Sequence, residues 1–315
     1  QGRNRRGVLM PADEFTLIYR YFAALGRGDA VELGVGDDCA ILSLQPGERL
    51  ATSVDSMVEG VHFPVDAFPE DIGYRAVAVA ASDLAAMGAR PIGMTLALTL
   101  PESDEFWLHS FSEGLAAAVA SFGLPLVGGD TTRGPLSISV QVMGALPAGE
   151  GLLRSGAAIG DLLYVSGTLG DAAGNLALMN DEWVCDPEAG EYLHQRFYRP
   201  APRLALGLQL LGVASAAIDI SDGLLADAGH VAAASGVQLR IDSAALPLSA
   251  ALQSHLDRTQ AVRWALAGGD DYELLACLPP DRPAPANMTL IGEVVSGEGV
   301  ICDVDVGDSA GFSHF

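Results

Sequence analysis

The segment Ala-Ile-Asp-Ile-Ser-Asp-Gly-Leu at 217–224 joins a strand, an acidic turn and a helix within eight residues. Its apolar first half predicts a short buried strand, and the apolar periodicity that follows predicts a helix over 222–234. Ser221 or Asp222 is a natural N-cap for that helix, because short polar side chains accept hydrogen bonds from the first free amides. Capping explains neither Asp219 nor its position at the end of the strand. A strand, an acidic turn and a helix in this order predict an α/β fold whose strands end in carboxylates.

More acidic turns of this kind are predicted along the chain. They are Gly-Asp-Asp at 36–38, Val-Asp-Ser at 54–56, Ser-Asp-Leu at 82–84, Gly-Gly-Asp-Thr-Thr at 128–132 and Gly-Gly-Asp-Asp at 268–271. Taken singly, each has an ordinary explanation, because glycine and aspartate favour turns for conformational reasons. Asp55 then ends a strand, and Asp83 is a salt-bridged helix residue. The Gly-Gly-Asp-Thr-Thr turn is the least ordinary, since two glycines allow close backbone approach.

Taken together, these turns favour a metal site. Carboxylates on tight turns suit hard cations, and magnesium prefers carboxylate, water and phosphate oxygens in octahedral geometry. Several carboxylates that converge in one cleft repel each other, and their burial is costly unless cations compensate the charge. The sequence therefore predicts chemistry on phosphate groups with magnesium.

Predicted strands and helices alternate through two halves of similar size. Helices are predicted over 14–25, 71–87, 105–122 and 202–211, and strands over 50–55, 94–100, 124–127, 136–146, 162–166, 272–277 and 290–294. The segment 147–160, rich in Gly, Ala and Pro, is the predicted linker. These patterns predict a two-domain α/β (α+β) fold, with an N-terminal domain over 14–147 and a C-terminal domain over 148–315. Residues 1–13 are expected to be a disordered tail or a cloning remnant.

The basic residues are unusual, because all 17 are arginine and lysine is absent. A P-loop and a protein kinase both need a lysine on the nucleotide phosphates, so both mechanisms are excluded. Schiff-base catalysis is excluded for the same reason. The net charge of −23 disfavours nucleic acid and anionic membranes, whose binding needs clustered basic residues. A phosphate-bearing substrate would have to arrive with cations.

The four cysteines are far apart and have no histidine partner at zinc spacing, which predicts free thiols in a reducing compartment. Residues 1–10 are basic but lead into an apolar run far too short for a signal peptide. The longest apolar region, 76–100, is interrupted by Asp83 and Arg90, and Pro91 breaks any helix there. We therefore expect a soluble cytoplasmic protein with no membrane and no nucleic-acid partner.

Four further features have two interpretations each. His62, between two apolar residues, is either a packed core histidine or a substrate contact. Arg154, in the linker, is either a surface charge or a phosphate clamp. The Gly-Thr-Leu-Gly-Asp loop at 167–171 suits anion binding at a helix N-terminus, but its aspartate occupies the anion position, which favours a structural role. The aromatic chain end at 311–315 either plugs the core or stacks a ring on a ligand.

Six motifs together resemble the thiamine-monophosphate kinase family, whose fold superfamily also contains aminoimidazole ribonucleotide synthetase and selenophosphate synthetase. They are Gly-Val-Gly-Asp-Asp-Cys-Ala at 34–40, Ser-Asp-Leu-Ala-Ala-Met-Gly-Ala at 82–89, Gly-Gly-Asp-Thr-Thr-Arg-Gly at 128–134, Arg-Ser-Gly-Ala at 154–157, Ile-Asp-Ile-Ser-Asp-Gly-Leu at 218–224 and Gly-Gly-Asp-Asp-Tyr-Glu-Leu at 268–274. The resemblance spans nearly the whole chain. It implies ATP-dependent phosphorylation of thiamine monophosphate to thiamine diphosphate, with several magnesium ions. It also implies a homodimer whose N-terminal sheets form a shared barrel, and a C-terminal domain that covers the nucleotide cleft.

Position by position, the resemblance implies three groups of site residues. The magnesium ligands are Asp38, Ser53, Val54, Asp55, Asp83, Asp130, Asp219 and Asp222, and among them Asp38, Asp130 and Asp219 are expected to be catalytic. The nucleotide contacts are Gly129, Asp130, Arg154 and Ser221. The thiamine phosphate contacts are His62, Asp270 and Phe312, with Phe312 stacked on a ring. Two positions depart from the family pattern: Val54 replaces a frequent Thr and offers a metal only its backbone carbonyl, and Asp270 replaces a frequent Glu and is expected to need a water bridge.

The expected reaction is direct in-line transfer, in which a terminal phosphate oxygen of thiamine monophosphate attacks the γ-phosphorus of ATP. A general base is not required, because a phosphate monoester is largely ionised near neutrality. Three alternatives stay open. They are a metal-dependent phosphohydrolase that uses the same carboxylates, another ATP-dependent reaction of the superfamily such as selenophosphate synthesis, and a cation-binding scaffold without enzymatic activity.

Overall fold

Residues 14–307 are described by the computed structural model, in which two large β-sheets share one helix. The strands are β1 (Val31–Leu33), β2 (Ile41–Leu42), β3 (Glu48–Val58), β4 (Arg90–Leu100), β5 (Leu126–Arg133), β6 (Ser137–Pro147), β7 (Leu162–Ser166), β8 (Ala216–Ile220), β9 (Gln238–Ile241), β10 (Glu273–Leu278), β11 (Met288–Val295) and β12 (Gly299–Cys302). The α-helices are α1 (Glu14–Leu17), α2 (Pro69–Met87), α3 (Glu105–Phe122), α4 (Asp171–Met179), α5 (Pro187–Tyr198), α6 (Leu204–Leu210), α7 (Leu224–Ser235), α8 (Ala250–His255) and α9 (Arg258–Ala267). Strands β1 and β2 form a small antiparallel pair.

The N-terminal sheet has the strand order β3-β6-β4-β5, and only β4 and β5 run parallel. Helices α2 and α3 pack together over one face, where Met94, Leu98 and Phe111 are fully buried. On the opposite face, Leu50 and Val54 of β3 are 53% and 61% exposed. One face of this sheet therefore belongs to the core, and the other is open in the single chain.

The C-terminal sheet has the strand order β12-β9-β11-β7-β10-β8, in which only β12 and β9 run parallel. Helices α7 and α9 cover one face through buried side chains such as Val231 and Leu266. On the other face, Ala85 of α2 and Leu210 of α6 pack against Leu274 of β10. Helix α2 thus contacts both sheets, which places its side chains at the boundary between the two halves of the chain.

Most of the predicted helices and strands are present. The helices predicted over 71–87 and 105–122 are confirmed by α2 and α3, and residues 148–161 contain no helix or strand. The single helix predicted over 14–25 is wrong in kind, because α1 continues as a π-helical turn (Ile18–Phe22) and a 3-10 turn (Ala23–Leu25). The short elements α5, α8, α9, β9 and β12 are absent from the prediction. None of the helices within 14–307 has both the length and the apolar character needed to cross a bilayer.

Two of the predicted acidic turns are wrong, because their aspartates lie inside strands. Asp55 lies within β3. Asp83 lies within α2, as the helix predicted over 71–87 requires. The strand predicted to end at residue 127 continues as β5, in which Gly129 and Asp130 pair with consecutive residues of β4. Two glycines followed by an aspartate resemble a turn locally, but ladder pairing with β4 keeps this segment extended.

Candidate active site

Helix α2 carries Ser82 and Asp83 to the boundary between the two sheets. The Ser82 hydroxyl donates a hydrogen bond of 2.7 Å to Oδ2 of Asp219, near the end of β8. The Ser53 hydroxyl of β3 donates to Oδ2 of Asp83. Asp55 lies two residues beyond Ser53, and therefore on the same face of the strand. Carboxylates from both halves of the chain thus form one cluster.

Burial and mutual repulsion perturb the pKa values in this cluster. Burial, followed by the negative charge of Asp83, raises the pKa of Asp219 to about 7, although the Ser82 hydrogen bond acts in the opposite direction. Burial and the same charge raise the pKa of Asp55 to about 6. Oxygen donors held together where their negative charge is unfavourable fit a divalent cation, which would supply the compensating charge.

The turn after β8 is held by Asp227 and not by a cap from Ser221 or Asp222, so the predicted N-cap is wrong. Helix α7 begins at Leu224. Oδ2 of Asp227 accepts hydrogen bonds of 3.0–3.2 Å from three successive backbone N–H groups, at positions 221, 222 and 223. Burial raises the pKa of Asp227 to about 6, and these N–H donors limit the rise. The side chains of Ser221 and Asp222 are half-buried and take no part in this capping.

The next loop, 268–272, packs directly on this turn. The backbone N–H groups of Asp270 and Tyr272 donate hydrogen bonds of 2.8 Å to the carbonyls of Ser221 and Ile220. Asp270 and Tyr272 both have a positive φ, 66° and 51°, a conformation that costs a non-glycine residue roughly 1–2 kcal/mol. Pairing between the two loops therefore holds both residues in a strained conformation.

A buried network of ion pairs packs against the loop 268–272. The Arg196 guanidinium donates to Asp171 (3.2 Å) and Glu273 (3.0 Å), whose side chains are completely buried. Arg203 donates two hydrogen bonds of 2.6 Å to Glu273. The carboxylate of Asp271, also buried, accepts from the backbone N–H of Gly170. The loop 167–171 is therefore held by internal ion pairs, in keeping with the structural role that its aspartate indicates.

A cavity of about 430 Å³ lies between these loops and the N-terminal sheet. Its polar lining includes Asp55, Ser221, Asp222 and Asp270, and its apolar lining includes Phe63, Leu176, Met179 and Phe197. His62 also lines this cavity, and its Nδ1 accepts a hydrogen bond of 3.0 Å from the Val58 N–H. The cavity thus combines carboxylates with an apolar wall large enough for an aromatic ring.

Asp38, Gly129 and Asp130 line a second cavity, of about 560 Å³. The strand register aligns Gly129 of β5 with Asp55 of β3 across the sheet, and both lie on the face that α2 covers. Asp130, the next residue, therefore faces the open side of the sheet. Three strand spacings, roughly 14 Å, separate β5 from β3. The single chain therefore brings Asp55, Asp83 and Asp219 together but not Asp38 and Asp130 with them.

The remaining site residues from the sequence lie elsewhere. Arg154 is exposed between β6 and β7, where its backbone carbonyl accepts a hydrogen bond of 3.0 Å from Ser235, and it lines neither cavity. The Val54 side chain points to the open face of β3. Phe312, with the chain end at 311–315 and the tail at 1–13, lies outside the described residues.

Four residues of the site are absent from the sequence prediction: Ser82, Asp227, Arg75 and Tyr272. Arg75 lies in α2 and lines the first cavity, where it pairs with Asp270. The signal for it is present in the sequence, because it is the one basic residue of a long Ala- and Val-rich helix, and a buried charge requires a partner. Asp227 gives no such signal, since an aspartate in the first turn of a helix usually faces solvent.

Comparisons with known proteins agree with this architecture. Residues 36–146 match the family AIR synthase related protein, N-terminal domain, and residues 158–304 match AIR synthase related protein, C-terminal domain. The fold and the acidic site therefore define a two-domain AIR synthase-related protein, which confirms the predicted mixed α/β class. The thiamine-monophosphate kinase of Salmonella typhimurium (strain LT2) is 52% identical over 273 residues, which are 86% of this chain and 84% of that protein. This chain belongs to the thiamine-monophosphate kinase family.

Two solved structures support the assignment. Thiamine-monophosphate kinase from Stenotrophomonas maltophilia K279a is 45% identical with a TM-score of 0.83, over 89% of this chain and 93% of that chain. AaThiL complexed with AMPPCP and TMP is 36% identical with a TM-score of 0.79, over 87% of this chain and 89% of that chain. The resemblance read from the sequence motifs is thereby confirmed.

Proposed function

We propose that this protein transfers the γ-phosphoryl group of ATP to thiamine monophosphate and so forms thiamine diphosphate. The observation that carries the proposal is the cluster of Asp55, Asp83 and Asp219 between the two sheets, in a chain of this family. A relative of the same fold has been solved with AMPPCP, which mimics ATP, and with TMP. Both reactants are anions, so the main catalytic task is to hold them together.

Magnesium ions are proposed to bind at the acidic cluster. The donors would be the carboxylates of Asp55, Asp83, Asp219 and Asp222, the Ser53 hydroxyl and the Val54 carbonyl, with Asp38 and Asp130 on the second cavity. All of these donors are oxygen atoms, as magnesium prefers. When bound, magnesium would supply positive charge that offsets the negative charge of the two phosphate-bearing reactants.

The first cavity is proposed to hold the acceptor. An amphiphilic molecule with an anionic phosphate and two heterocycles fits a lining that is partly carboxylate and partly apolar. His62 and Asp270 would contact this substrate, and Phe312 would stack on one of its rings. Because the acceptor phosphate is already ionised near neutrality, these residues orient an existing nucleophile and need not remove a proton.

A homodimer is proposed to complete the nucleotide site. Leu50, Val54 and Val58 are exposed along β3 on the open face of the N-terminal sheet. Exposed apolar side chains grouped in this way favour contact with another protein surface. The same face carries Asp130, so a twofold mate that formed a barrel with this sheet would cover the second cavity. Gly129, Arg154 and Ser221 are proposed as further nucleotide contacts. Residues 14–147 would then bind the nucleotide and the second subunit, and residues 148–315 would close the nucleotide cleft. The enzyme is proposed to work in the cytoplasm, where ATP is abundant.

Mass spectrometry of the products tests the proposal. The protein is incubated with magnesium, thiamine monophosphate and ATP that carries ¹⁸O on the γ-phosphoryl group, and the expected product is thiamine diphosphate with all of the label in its terminal phosphoryl group. Labelled inorganic phosphate that forms equally fast without an acceptor would instead show a phosphohydrolase, the alternative that the same carboxylates support. Asp130→Asn is expected to lower turnover at saturating magnesium more than tenfold, about 1.4 kcal/mol, whereas the exposed Asp29→Asn serves as the matched control.

A further inference from the structure

Arg75 reaches from α2 across the domain boundary and is almost entirely buried. Its side chain is 3% exposed, and one terminal nitrogen donates a hydrogen bond of 2.7 Å to Oδ1 of Asp270. The other terminal nitrogen donates to the backbone carbonyl of Phe197, and the guanidinium carbon lies 4.1 Å from the centre of the Phe197 ring. Its Nε has no hydrogen-bond partner among the described residues. The guanidinium carbon also lies 5.7 Å from the centre of the Tyr272 ring, so the guanidinium is fixed by two rings, one carbonyl and one carboxylate.

Tyr272 binds the same oxygen of the same carboxylate. Its hydroxyl donates a hydrogen bond of 2.9 Å to Oδ1 of Asp270. The Asp270 side chain is 30% exposed and lines the first cavity. Within residues 14–307, the side-chain hydrogen bonds of Asp270 all end on Oδ1. This arrangement leaves Oδ2 as the oxygen that can accept a hydrogen bond from a ligand.

The ion pair also changes what Asp270 can recognise. An isolated carboxylate attracts any cation, but a carboxylate 2.7 Å from a buried guanidinium has its charge largely cancelled at a distance. What remains is a strong, directional acceptor, since hydrogen bonds to an ionised group are roughly twice as strong as neutral ones. The pair therefore favours an uncharged N–H donor over a cationic ring, whose attraction to Asp270 is offset by repulsion from Arg75.

We propose that Arg75 and Tyr272 are positioning residues that hold Asp270 so that its Oδ2 accepts a hydrogen bond from the exocyclic amino group of the aminopyrimidine ring of the substrate. This inference rests on the proposed function, because the amino group belongs to thiamine monophosphate. The thiazolium cation, the other candidate partner for Asp270, would then lie elsewhere in the cavity.

The backbone provides an independent observation in favour of this role. Asp270 and Tyr272 both adopt positive φ angles, and strained residues of this kind persist where the surrounding structure fixes them, often at ligand sites. Here the fixing contacts are the backbone hydrogen bonds to the turn after β8 and the Arg75 ion pair. The carboxylate is thus held in position by the protein before any ligand binds.

The test compares two acceptors in steady-state kinetics: thiamine monophosphate and its 4-oxo analogue, in which a carbonyl replaces the amino group. We expect the wild-type protein to prefer thiamine monophosphate by at least about tenfold in kcat/KM, because a site built around one hydrogen bond rejects an analogue that lacks the donor. In Tyr272→Phe, which keeps the ring, and in Arg75→Met, the preference should fall below about threefold. The loss should appear in KM for thiamine monophosphate, with KM for ATP unchanged.

Arg199→Met is the matched control. Arg199 donates a hydrogen bond of 2.8 Å to Asp71 of α2 and lies over the Tyr74 ring, so it also links α5 to α2, but it does not line the cavity. The control should keep the wild-type preference. If Arg75→Met does not fold, Tyr272→Phe decides. This inference alone is overturned if the wild-type protein phosphorylates both acceptors equally well, or if the Tyr272→Phe variant keeps the wild-type preference. If the wild-type protein phosphorylates neither acceptor, the proposed function is overturned as well.

Discussion

The hydroxyl of Ser82 and the carboxylate of Asp219 are joined by a hydrogen bond of 2.7 Å across 137 positions of sequence. Ser82 is completely buried on α2, and Asp219 is 5% exposed near the end of β8. The bond links α2 to β8 of the C-terminal sheet, at the point where Asp83 and Asp219 repel each other. Here, packing between the halves of the chain and the chemistry of the acidic site depend on the same atoms.

Removal of this hydrogen bond should destabilise the protein. Ser82→Ala leaves the buried Asp219 carboxyl without its donor, and we expect a cost of about 1–3 kcal/mol in the free energy of unfolding. Urea denaturation without divalent cations measures this cost. Ser112→Ala is the control, because the one hydrogen bond of the Ser112 hydroxyl within residues 14–307 is to the carbonyl of His109 on α3. Its loss should change stability by less than about 0.5 kcal/mol. Equal effects of both changes would contradict the role assigned to Ser82.

Stability without divalent cations should rise as pH falls from about 7.5 to 5.5. The folded-state pKa values are about 7 for Asp219 and about 6 for Asp55 and Asp227, all above the value of about 3.9 for an unfolded chain. In this window the folded state binds more protons than the unfolded state, so the free energy of unfolding decreases as pH increases. Below the unfolded value both states are protonated and the effect ends.

Thermal unfolding in EDTA, at several pH values, measures this dependence. Asp219→Asn removes one of these groups, so its unfolding temperature should vary less with pH than that of the wild type. Magnesium should also flatten the wild-type curve, because a bound cation stabilises the ionised carboxylates. A wild-type unfolding temperature that rises steadily from pH 5.5 to 7.5 in EDTA would contradict the pKa assignment.

Gly129 and Gly128 should respond very differently to alanine. A Cβ on Gly129 would overlap the carbonyl of Leu96 in β4, whereas a Cβ on Gly128 would meet Thr95 at an ordinary 3.8 Å. We expect Gly129→Ala to cost several kcal/mol by the mechanism of an overpacked core, and Gly128→Ala to cost less than about 1 kcal/mol. Urea denaturation of the two variants side by side tests this. Equal stability would show that β5 can move away from β4.

The buried network behind the loop 268–272 should be far more sensitive than a surface ion pair. Arg196→Met leaves the buried carboxylates of Asp171 and Glu273 with too little positive charge, and we expect a loss of about 3–5 kcal/mol. Arg240→Met breaks the pair with Glu293, whose partners are 56% and 42% exposed, and should cost less than about 1 kcal/mol. Circular dichroism during urea denaturation distinguishes these outcomes, and a stable Arg196→Met protein would contradict the first.

The sequence predicts local features of this fold better than its long-range contacts. Helices α2 and α3 follow from apolar periodicity and end at glycines 88 and 123 in the left-handed conformation. The short apolar strand before Asp219 is likewise visible in the sequence. By contrast, Asp130 looks like a turn residue until β4 is known to lie beside it. Strand pairing is a tertiary property, and it overrides the local preference of glycine and aspartate.

The candidate site divides in the same way. Asp55, Asp83 and Asp219 could be predicted from the sequence, because each lies in a short acidic motif that also contains a serine. Their supporting residues could not, because Arg75 and Asp270 are 195 positions apart and nothing local in either motif requires the other. The sequence also does not show that Asp38 and Asp130 lie apart from the main cluster, because this separation depends on the strand register.

The central claim is that carboxylates from both halves of the chain share divalent cations at one site. Crystals grown with manganese in place of magnesium, together with AMPPCP, test it most directly through the anomalous signal of manganese. We expect a peak roughly 2.1 Å from carboxylate oxygens of both Asp83 and Asp219, and we expect Asp219→Asn to weaken or remove it. Nucleotide bound in the cleft with no manganese in contact with either carboxylate would contradict the account.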